Sequence, residues 1–280
     1  MDLVEKKQRL DSHLRSLGSA LVAYSGGVDS AFLAHATYVA LGARMKAVIA
    51  DSQSLTRAHL NDAVDFAEEI GMPLQIVATD ELANDAYAQN GADRCFHCKD
   101  ELFTVLEQER ERLGFASVVY GLNADDTRDF RPGQSAAQQH GVLAPMAEAG
   151  LTKEDVRALA QVAGLRVWDK PASACLASRV EYGRRVTPEV LAQIEQAEAA
   201  LGALGLRRFR VRHHGAVARV EIAEEELEFA LSRASLKSIS AAVHQAGFKY
   251  VALDCDGYRS GSMNEILPLS ALTQAHGVPK

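Results

Sequence analysis

Short apolar runs alternate with amphipathic segments through the first half of the chain. An apolar run without polar alternation is typical of a strand buried on both faces of a parallel sheet. A periodicity near 3.6 residues is typical of a helix that covers such a sheet. The predicted strands are 20–24, 45–50, 74–78 and 117–121, and the predicted helices are 29–41, 57–70 and 99–113. The predicted fold class is therefore α/β, with a doubly wound parallel sheet covered by helices on both faces.

The pattern changes near residue 180. Thr187-Pro188-Glu189 predicts the start of a helix, because Thr is a favoured N-cap and Pro is favoured at the first helical position. Two segments with period-two alternation flank His214-Gly215 and predict a β-hairpin. The predicted elements are helix 190–204, strands 207–213 and 216–222, helix 235–246 and strand 249–253. We therefore expect a first domain over residues 1–180 and a smaller α+β domain over residues 181–280.

Composition and charge narrow the class of protein. The chain has 280 residues, of which 48% are hydrophobic and 24% are charged, as in ordinary globular proteins. Its net charge of −7 argues against a nucleic-acid partner but permits a local basic pocket. No apolar run approaches the roughly 20 residues that span a bilayer, and the first residues are too charged for a signal peptide. We therefore expect a cytoplasmic protein with no membrane partner.

The hexapeptide Ser25-Gly26-Gly27-Val28-Asp29-Ser30 lies between a predicted strand and a predicted helix. Two glycines let the backbone approach an anion closely, and the start of a helix offers N–H groups and a favourable dipole. The hexapeptide lacks the Gly-Lys-Ser/Thr of a Walker A loop and the GxGxxG of a dinucleotide-binding turn. It predicts a phosphate-binding loop of another kind. The alternative is a strand-to-helix turn without a ligand.

Three cysteines form a second candidate site. Cys95 and Cys98 make a CxxC in a predicted loop before the helix at 99, and Cys175 lies far along the chain. Thiolates are preferred ligands of iron–sulfur clusters and of zinc. Three thiolates on a [4Fe–4S] cluster would leave one iron open to an added sulfide. The alternatives are a zinc site that includes His97, and three unrelated buried thiols.

The hexapeptide resembles the SGGxDS signature of the PP-loop ATP pyrophosphatases, which have a Rossmann-like sheet of the HUP type. In that class the loop holds the pyrophosphate of ATP, and the enzyme transfers AMP to its substrate. The chain also resembles one family over nearly its full length, the LarE sulfur transferases. The matching stretches are AYSGGVDS (23–30), DFRPG (129–133), DVRALAQ (155–161), SACLASRVEYG (173–183), RVRHHGAVARVEI (210–222) and GYRSGSMNE (257–265).

The resemblance implies a reaction. A LarE enzyme adenylates a carboxylate of pyridinium-3,5-biscarboxylic acid mononucleotide with MgATP, and sulfur then displaces AMP to leave a thiocarboxylate. Two rounds give the dithiocarboxylate that later takes nickel in the pincer cofactor of lactate racemase. The resemblance thus implies ATP and Mg²⁺ as cofactors, a small-molecule mononucleotide as substrate and a homohexamer as the assembly. The smaller domain would bind substrate and serve oligomerisation.

The family draws its sulfur from one of two sources. In one version, a single cysteine at the position of Cys175 gives up its own sulfur and becomes dehydroalanine. In the other, that cysteine joins a CxxC to hold a [4Fe–4S] cluster whose open iron carries a hydrosulfide. Because this chain has Cys95 and Cys98, it resembles the cluster version, and the three thiols are the predicted catalytic and metal-binding residues. One departure is Glu181, where members often have proline, and it leaves the shape of that loop open.

The predicted binding residues lie mainly at the carboxyl ends of the predicted strands, where such sheets bind ligands. Those expected to bind ATP are Ser25, Gly26, Gly27, Asp29, Ser30, Ser52, Gly121 and Asn123. Arg210 and Arg212 project from one side of a predicted strand, and paired guanidinium groups suit the substrate phosphate. The resemblance associates both arginines and Glu198 with the substrate or metal site. Arg179 is a further candidate contact for the substrate phosphate, and a solvated hairpin face is the alternative for the arginine pair.

Three other functions fit part of the pattern. A PP-loop tRNA thiolation enzyme can also use three cysteines and a cluster, but it needs a tRNA-binding surface and this chain is acidic. A PP-loop synthetase that uses ammonia would not need the three cysteines. A nucleotide-binding sensor would bind ATP without catalysis.

Overall fold

A computed structural model of the chain describes residues 1–126, 132–171, 174–259 and 261–263. In the sequence, Arg131 is as well placed to hold its own loop through Asp129 as to contact a ligand, and both residues lie outside these ranges. The described chain forms two compact units, of which the first contains 1–81, 95–126 and 132–171 and the second contains 82–94, 174–259 and 261–263. The predicted domain bounds at 180 and 181 stay a prediction, because compactness does not show which segments bind substrate or assemble.

The first unit is built on a four-stranded parallel sheet. Its strands are β1 (Ala20–Ala23), β2 (Met45–Asp51), β3 (Leu74–Ala78) and β4 (Ser117–Tyr120), in the order β3-β2-β1-β4. The chain moves outward from β1 to β3 on one side and returns with β4 on the other side of β1. The carboxyl ends of β1 and β4 therefore form the switch point, where sheets of this type bind ligands.

Helices cover both faces of this sheet. The helices of the chain are α1 (Leu3–Ser16), α2 (Val28–Leu41), α3 (Arg57–Glu69), α4 (Asp85–Ala88), α5 (Arg94–Leu113), α6 (Pro132–Gln139), α7 (Pro145–Glu148), α8 (Lys153–Val162), α9 (Pro188–Ala203), α10 (Glu224–Ala230) and α11 (Arg233–Gln245). Along β1, Ala20 and Val22 pack into one apolar cluster with residues of α1 and α2, whereas Leu21 and Ala23 pack with residues of α5 in another. This alternation confirms the predicted doubly wound sheet.

Helix α5 begins earlier than its apolar pattern predicted. The prediction placed the start at residue 99, and the helix starts at Arg94. Cys95 and Cys98 therefore lie in the first two turns of a helix and not in a loop, which corrects the prediction. The guanidinium of Arg94 binds the side-chain oxygen of Asn90 and donates to the carbonyl oxygen of Ala177 at 2.9 Å. These contacts fix the first residue of the helix, and no local sequence pattern reveals them.

The second unit contains a three-stranded mixed sheet. Its strands are β5 (Phe209–His214), β6 (Val217–Ile222) and β7 (Tyr250–Leu253), with β5 antiparallel and β7 parallel to β6. The predicted hairpin is confirmed, and Gly215 in its turn has φ +67°. Thr187 caps α9 as predicted, because its side chain accepts from the N–H of Val190 at 3.3 Å. The short helix α4 joins this unit although it comes from the first half of the chain.

Four helices of the first unit, α1, α6, α7 and α8, were not predicted. Helices α1 and α8 each begin with a capping box, formed by Asp2 with Glu5 and by Thr152 with Asp155. Polar residues outnumber apolar ones along α1, and α8 opens on Lys153, Glu154 and Asp155, which hides both helices from a search for apolar periodicity. Within the described residues, no helix has both the length and the apolar character that a membrane span requires.

His140 ties the end of α6 to α5. Its Nδ1 lies 3.0 Å from the carboxylate of Glu107, and its Nε2 lies 2.9 Å from that of Asp100. Burial acts to lower the pKa of His140, but the bonds and charges of the two carboxylates raise it overall. The stabilisation is therefore fully present below the unfolded-state pKa of the imidazole and is lost as pH rises through the raised folded-state value.

We expect His140→Gln to cost about 0.5–1 kcal/mol of unfolding free energy near pH 6 and less at pH 9. The reason is that only the charged imidazolium gains from the two carboxylates. Urea denaturation at both pH values measures the difference. A loss of equal size at both pH values would contradict the account.

Candidate functional site

The predicted phosphate loop connects β1 to the first turn of α2. Gly26 has φ +71°, a conformation that favours glycine. A Cβ added there would lie 2.6 Å from the Cβ of Ala63, so the loop also passes too close to α3 for any side chain. Gly27 is extended and is the N-cap of α2. The shape of the loop therefore requires glycine at position 26.

Three successive carbonyl oxygens of this loop accept hydrogen bonds from side chains. The pairs are His59 Nε2 with Ser25 O at 2.6 Å, Lys170 Nζ with Gly26 O at 3.0 Å, and Ser30 Oγ with Gly27 O at 3.1 Å. In a planar trans peptide, the C=O and the following N–H point in opposite directions. Each of the three side chains therefore holds a peptide group whose N–H, on the next residue, points away from that side chain.

The N–H groups turned outward have no acceptor within the described chain. They belong to Gly26, Gly27 and Val28, the N–H of Asp29 likewise has no acceptor among the described residues, and α2 has no side-chain cap that would occupy these groups. N–H groups left open at the start of a helix form a binding site for an anion, which the helix dipole also favours. The geometry of the loop thus suits a phosphate group.

The two serines close the ends of the loop. The hydroxyl of Ser30 accepts from the N–H of Ser25 at 3.1 Å and lies 2.9 Å from the Ser25 hydroxyl. Ser30 is buried and Ser25 is exposed. Ser30 therefore holds the loop, and Ser25 is the serine that faces solvent.

The end of β4 lies directly against the start of α2. A Cβ on Gly121 would be 2.8 Å from the backbone nitrogen of Ser30, so only glycine allows this approach. Asn123 is fully buried, and its amide nitrogen donates to Asp29 at 3.1 Å and to Asp126 at 3.0 Å. Asn123 thus orients the loop carboxylate. The structure brings Gly121, Asn123 and Asp29 together, and their contact with ATP stays a prediction.

A buried carboxylate that the sequence did not indicate follows β3 and contacts the turn after β2. Glu81 is 3% exposed, and it accepts from the hydroxyls of Ser52 and, at 3.2 Å, of Thr79. The Ser52 hydroxyl also accepts from the N–H of Ser54 at 3.0 Å. Ser52 is therefore part of a bonded turn after β2, and its predicted contact with adenosine stays a prediction.

In the second unit, Arg179 and Glu198 form a nearly buried ion pair. Arg179 is 3% exposed, and its Nε and Nη2 donate to the two oxygens of Glu198 at 3.1 and 3.2 Å. Its Nη1 donates to the carbonyl oxygens of Ala174 at 2.5 Å and of Cys175 at 2.9 Å. Glu198 also accepts from the N–H of Val211 at 3.1 Å. Arg179 therefore fixes the backbone that carries Cys175.

Three arginines share one face of the β5–β6 hairpin. Arg212 lies opposite Arg219, and Arg210 lies opposite Glu221. Glu221 is fully buried and binds Arg212 at 2.7 Å and Arg219 at 3.0 Å. Burial and then the nearby charge of Arg179 lower the pKa of Arg210. Glu221 thus pairs with two of the three arginines, and Asp254 lies 3.4 Å from Arg219, so carboxylates hold this face in a fixed arrangement.

The burial of Arg212 tests the alternative that the arginine pair lies on a solvated face of the hairpin. Arg212 is 5% exposed, and its Nε is buried without a hydrogen-bond partner among the described residues. Its Nη1 donates to the carbonyl oxygen of Ser178 at 3.2 Å. A buried guanidinium nitrogen without an acceptor is costly unless a ligand or water supplies one. The geometry favours a binding face over a solvated one at this position.

The three predicted metal ligands lie in different units. Cys95 and Cys98 belong to the first unit, and Cys175 belongs to the second. Cys95 and Cys98 are one helical turn apart, so their side chains leave the same face of α5. Cys95 is exposed and the other two are half-buried, which argues against three buried structural thiols. Within the described residues, no group of three or more His, Cys, Asp or Glu side chains forms a metal site.

Sequence reasoning missed the residues that support these sites. Lys170 and His59 hold the loop, and no motif marks either of them. Asn90 has φ +60° and is fully buried, and its amide donates to the carbonyl oxygen of Glu181 at 2.8 Å. The only local signal was Asn90-Gly91, a pair typical of turns. Contacts between distant segments define the others, so a single sequence does not reveal them.

The fold and the loop together define a PP-loop nucleotide-binding protein. A doubly wound sheet places SGGVDS at its switch point, and the open N–H groups of that loop suit a phosphate. A family model described as NAD synthase matches residues 4–116, which include the loop.

Curated relatives match nearly the whole chain. Pyridinium-3,5-bisthiocarboxylic acid mononucleotide synthase of Lactiplantibacillus plantarum is 35% identical over 96% of this chain and 98% of its own length. An uncharacterized protein of Synechocystis, slr1717, is 40% identical over 95% of this chain and 99% of its own length. Another uncharacterized protein, MJ0830 of Methanocaldococcus jannaschii, is 27% identical over 92% of this chain and 97% of its own length. The chain belongs to the LarE family of sulfur-transferring enzymes.

Gly26→Ala tests the shape of the loop, with Gly18→Ala as its control. Both glycines have positive φ, at +71° and +73°, but a Cβ on Gly18 meets nothing within 4 Å. The control therefore measures backbone strain alone, at about 1–2 kcal/mol. We expect Gly26→Ala to cost about 1–3 kcal/mol more, because it also forces apart the loop and α3.

The same pair of variants separates stability from binding. We expect Gly26→Ala to lose ATP affinity and Gly18→Ala to keep it, as measured by titration calorimetry on folded protein. Equal ATP affinities in the two variants would show that the loop does not bind the nucleotide.

Proposed function

We propose that the chain adenylates a carboxylate of pyridinium-3,5-biscarboxylic acid mononucleotide with MgATP and then replaces AMP with sulfur. The name of the Lactiplantibacillus relative supports the substrate, since a bisthiocarboxylic acid is the product of two such replacements. The observation that carries the proposal is the set of open N–H groups on Gly26, Gly27, Val28 and Asp29. An adenylating enzyme needs such a site for the pyrophosphate that leaves.

Adenylation solves a specific chemical problem. A carboxylate is a poor electrophile because its oxygen is a poor leaving group. In the first step a carboxylate oxygen bonds to the α-phosphorus of ATP, and the bond from that phosphorus to the bridging oxygen breaks, so pyrophosphate leaves. In the second step sulfur bonds to the carbonyl carbon, the C–O bond breaks, and AMP leaves with its electron pair. The loop amides stabilise the pyrophosphate as it forms.

The carboxylate of Asp29 fits Mg²⁺, which prefers hard oxygen ligands together with substrate phosphates. Asn123 holds this carboxylate from one side at 3.1 Å, and Asp29 itself is half-exposed. The ion would neutralise phosphate charge during adenylation. We therefore assign Asp29 to the metal and Asn123 to its orientation.

The arginine face of β5–β6 suits the phosphate of the mononucleotide. Arg210 and Arg212 lie on one side of β5, and paired guanidinium groups suit a phosphate dianion. Arg179 and Glu198 bind each other, so we assign them to holding the Cys175 backbone beside that face. The proposed contact with phosphate therefore rests on Arg210 and Arg212.

Three thiols fit the donor chemistry of a [4Fe–4S] cluster, and we propose Cys95, Cys98 and Cys175 as its ligands. Such a cluster, with one iron left open, supplies a bound sulfide as the nucleophile. One observation supports the pairing of the first two ligands, since Cys95 and Cys98 share one face of α5.

Iron and acid-labile sulfide per chain, measured after anaerobic purification, test the source of sulfur. We expect about four irons in the wild type and a large loss in each of Cys95→Ser, Cys98→Ser and Cys175→Ser. Cys255→Ser is the matched control, since Cys255 is exposed and follows β7. Its iron content should equal that of the wild type.

If Cys175 instead gives up its own sulfur, the mass of the protein and the activities of the variants differ from this expectation. Cys175 would then lose the mass of one hydrogen sulfide during turnover, and Cys95→Ser and Cys98→Ser would keep their activity. That outcome would overturn the cluster and keep the adenylation step. Retained activity in all three serine variants would favour an ammonia-using synthetase.

The tRNA and sensor alternatives predict other binding behaviour. A tRNA thiolation enzyme should hold total tRNA on a filter in moderate salt, and the acidic charge of this chain predicts that it will not. A sensor would bind ATP and release no pyrophosphate when the mononucleotide is added. The homohexamer stays a prediction that light scattering tests.

A further inference from the structure

The phosphate loop contains no cation of its own. Its six residues carry one carboxylate, on Asp29, and no lysine or arginine. An anion such as pyrophosphate bears several negative charges, so open N–H groups alone compensate only part of them. The positive charge near this loop must therefore come from residues distant in sequence.

Among the three side chains that hold the loop carbonyls, Lys170 alone carries a charge. Burial lowers the pKa of His59, so its imidazole is neutral near pH 7, and Ser30 is neutral. Lys170 has three N–H donors. Two bind the carbonyl oxygen of Gly26, at 3.0 Å, and the carboxylate of Asp62. The third has no partner among the described residues.

Hydrogen bonds of its backbone groups fix the position of Lys170. Arg157 on α8 donates to the carbonyl oxygens of Trp168 and Lys170, both at 2.8 Å. The N–H of Lys170 also donates to the carbonyl oxygen of Val167 at 3.0 Å. The ammonium group thus approaches the loop from a braced segment, and its side chain is 21% exposed.

Asp62 does not depend on Lys170 for its counter-charge. Arg166 donates to the Asp62 carboxylate at 2.6 Å and to its carbonyl oxygen at 2.9 Å. Burial acts to raise the pKa of Asp62, but its bonds to Lys170 and Arg166 lower it overall, so it is ionised at neutral pH. Asp62 therefore offsets part of the positive charge that Lys170 brings to the loop.

We propose that Lys170 is the positioning residue and the cation of the phosphate loop. Its bond to the Gly26 carbonyl holds the Gly26–Gly27 peptide with the Gly27 N–H turned toward the anion. Its charge strengthens that N–H as a donor and raises the affinity for pyrophosphate. Asp62 partly neutralises this charge and so determines how strongly it attracts the anion. The inference rests on the proposed function, since it concerns the same nucleotide site.

The test measures the affinities of inorganic pyrophosphate and of AMP for the full chain by calorimetry. Lys170→Met removes the bond and the charge, and Lys170→Gln keeps a donor without the charge. We expect Lys170→Met to lose about tenfold or more in pyrophosphate affinity and Lys170→Gln to lose less. The affinity for AMP should change less than about twofold in both variants. Lys153→Gln, an exposed lysine of the same unit, is the matched control and should match the wild type.

Asp62→Asn separates this role from a purely structural one. If Lys170 acts through its charge, removal of the neutralising carboxylate should raise pyrophosphate affinity. If Lys170 only braces the loop, Asp62→Asn should lower it, and Lys170→Met should weaken AMP and pyrophosphate equally. Either of those results would overturn the inference.

The wild type separates this inference from the proposed function. Wild-type protein that binds neither MgATP nor pyrophosphate would overturn both. Wild-type protein that binds MgATP, together with a Lys170→Met variant of unchanged pyrophosphate affinity, would overturn the inference alone.

Discussion

The account depends on the orientation of three peptide groups at the end of β1. His59, Lys170 and Ser30 each donate to one carbonyl of the loop, so the N–H groups that follow point the other way. A Gly-Gly peptide would otherwise turn over at little cost. Because these bonds come from three separate segments, the anion site exists only when α3, α2 and the chain after α8 are all in place. Folding of the first unit and formation of its site are therefore one event.

The second unit achieves order by a different means, buried ion pairs. Arg179 with Glu198 and Arg212 with Glu221 lie in surroundings where an unpaired charge would be costly. Each arginine also donates to backbone carbonyls between Ala174 and Ser178. Cys175 precedes a short 3-10 helix, Leu176–Arg179, and charged side chains thus hold the segment in addition to that turn of helix. Such a segment can present a thiol at a defined place while staying open to solvent.

Much of the fold was predictable because its signals are local. The apolar runs of β1 to β4 and the Thr187-Pro188 start of α9 were enough to place those elements. The sequence prediction placed Cys95 in a loop, whereas the helix already begins at Arg94. Arg94 is fixed by contacts with Asn90, which belongs to no helical pattern, and with Ala177, which is distant in sequence. The phosphate loop itself was predictable from six residues, but Lys170 was not. Its role comes from a contact across 144 positions, which no periodicity encodes.

The ligands of the proposed cluster come from both units, and the arginines of the proposed phosphate site all come from the second. Chemistry therefore supports these assignments more directly than geometry does. Three exposed or half-buried cysteines and a hairpin face that carries three arginines suit sulfur transfer to a mononucleotide.

The most direct measurement follows the oxygen of the substrate carboxylate. The mononucleotide, labelled with heavy oxygen in its carboxylates, is incubated with MgATP and protein, and the products are analysed by mass spectrometry. The account predicts one labelled oxygen in AMP, because the carboxylate oxygen that attacks the α-phosphorus leaves with it. Label in free phosphate or pyrophosphate, or thiocarboxylate formed with unlabelled AMP, would contradict adenylation at the loop.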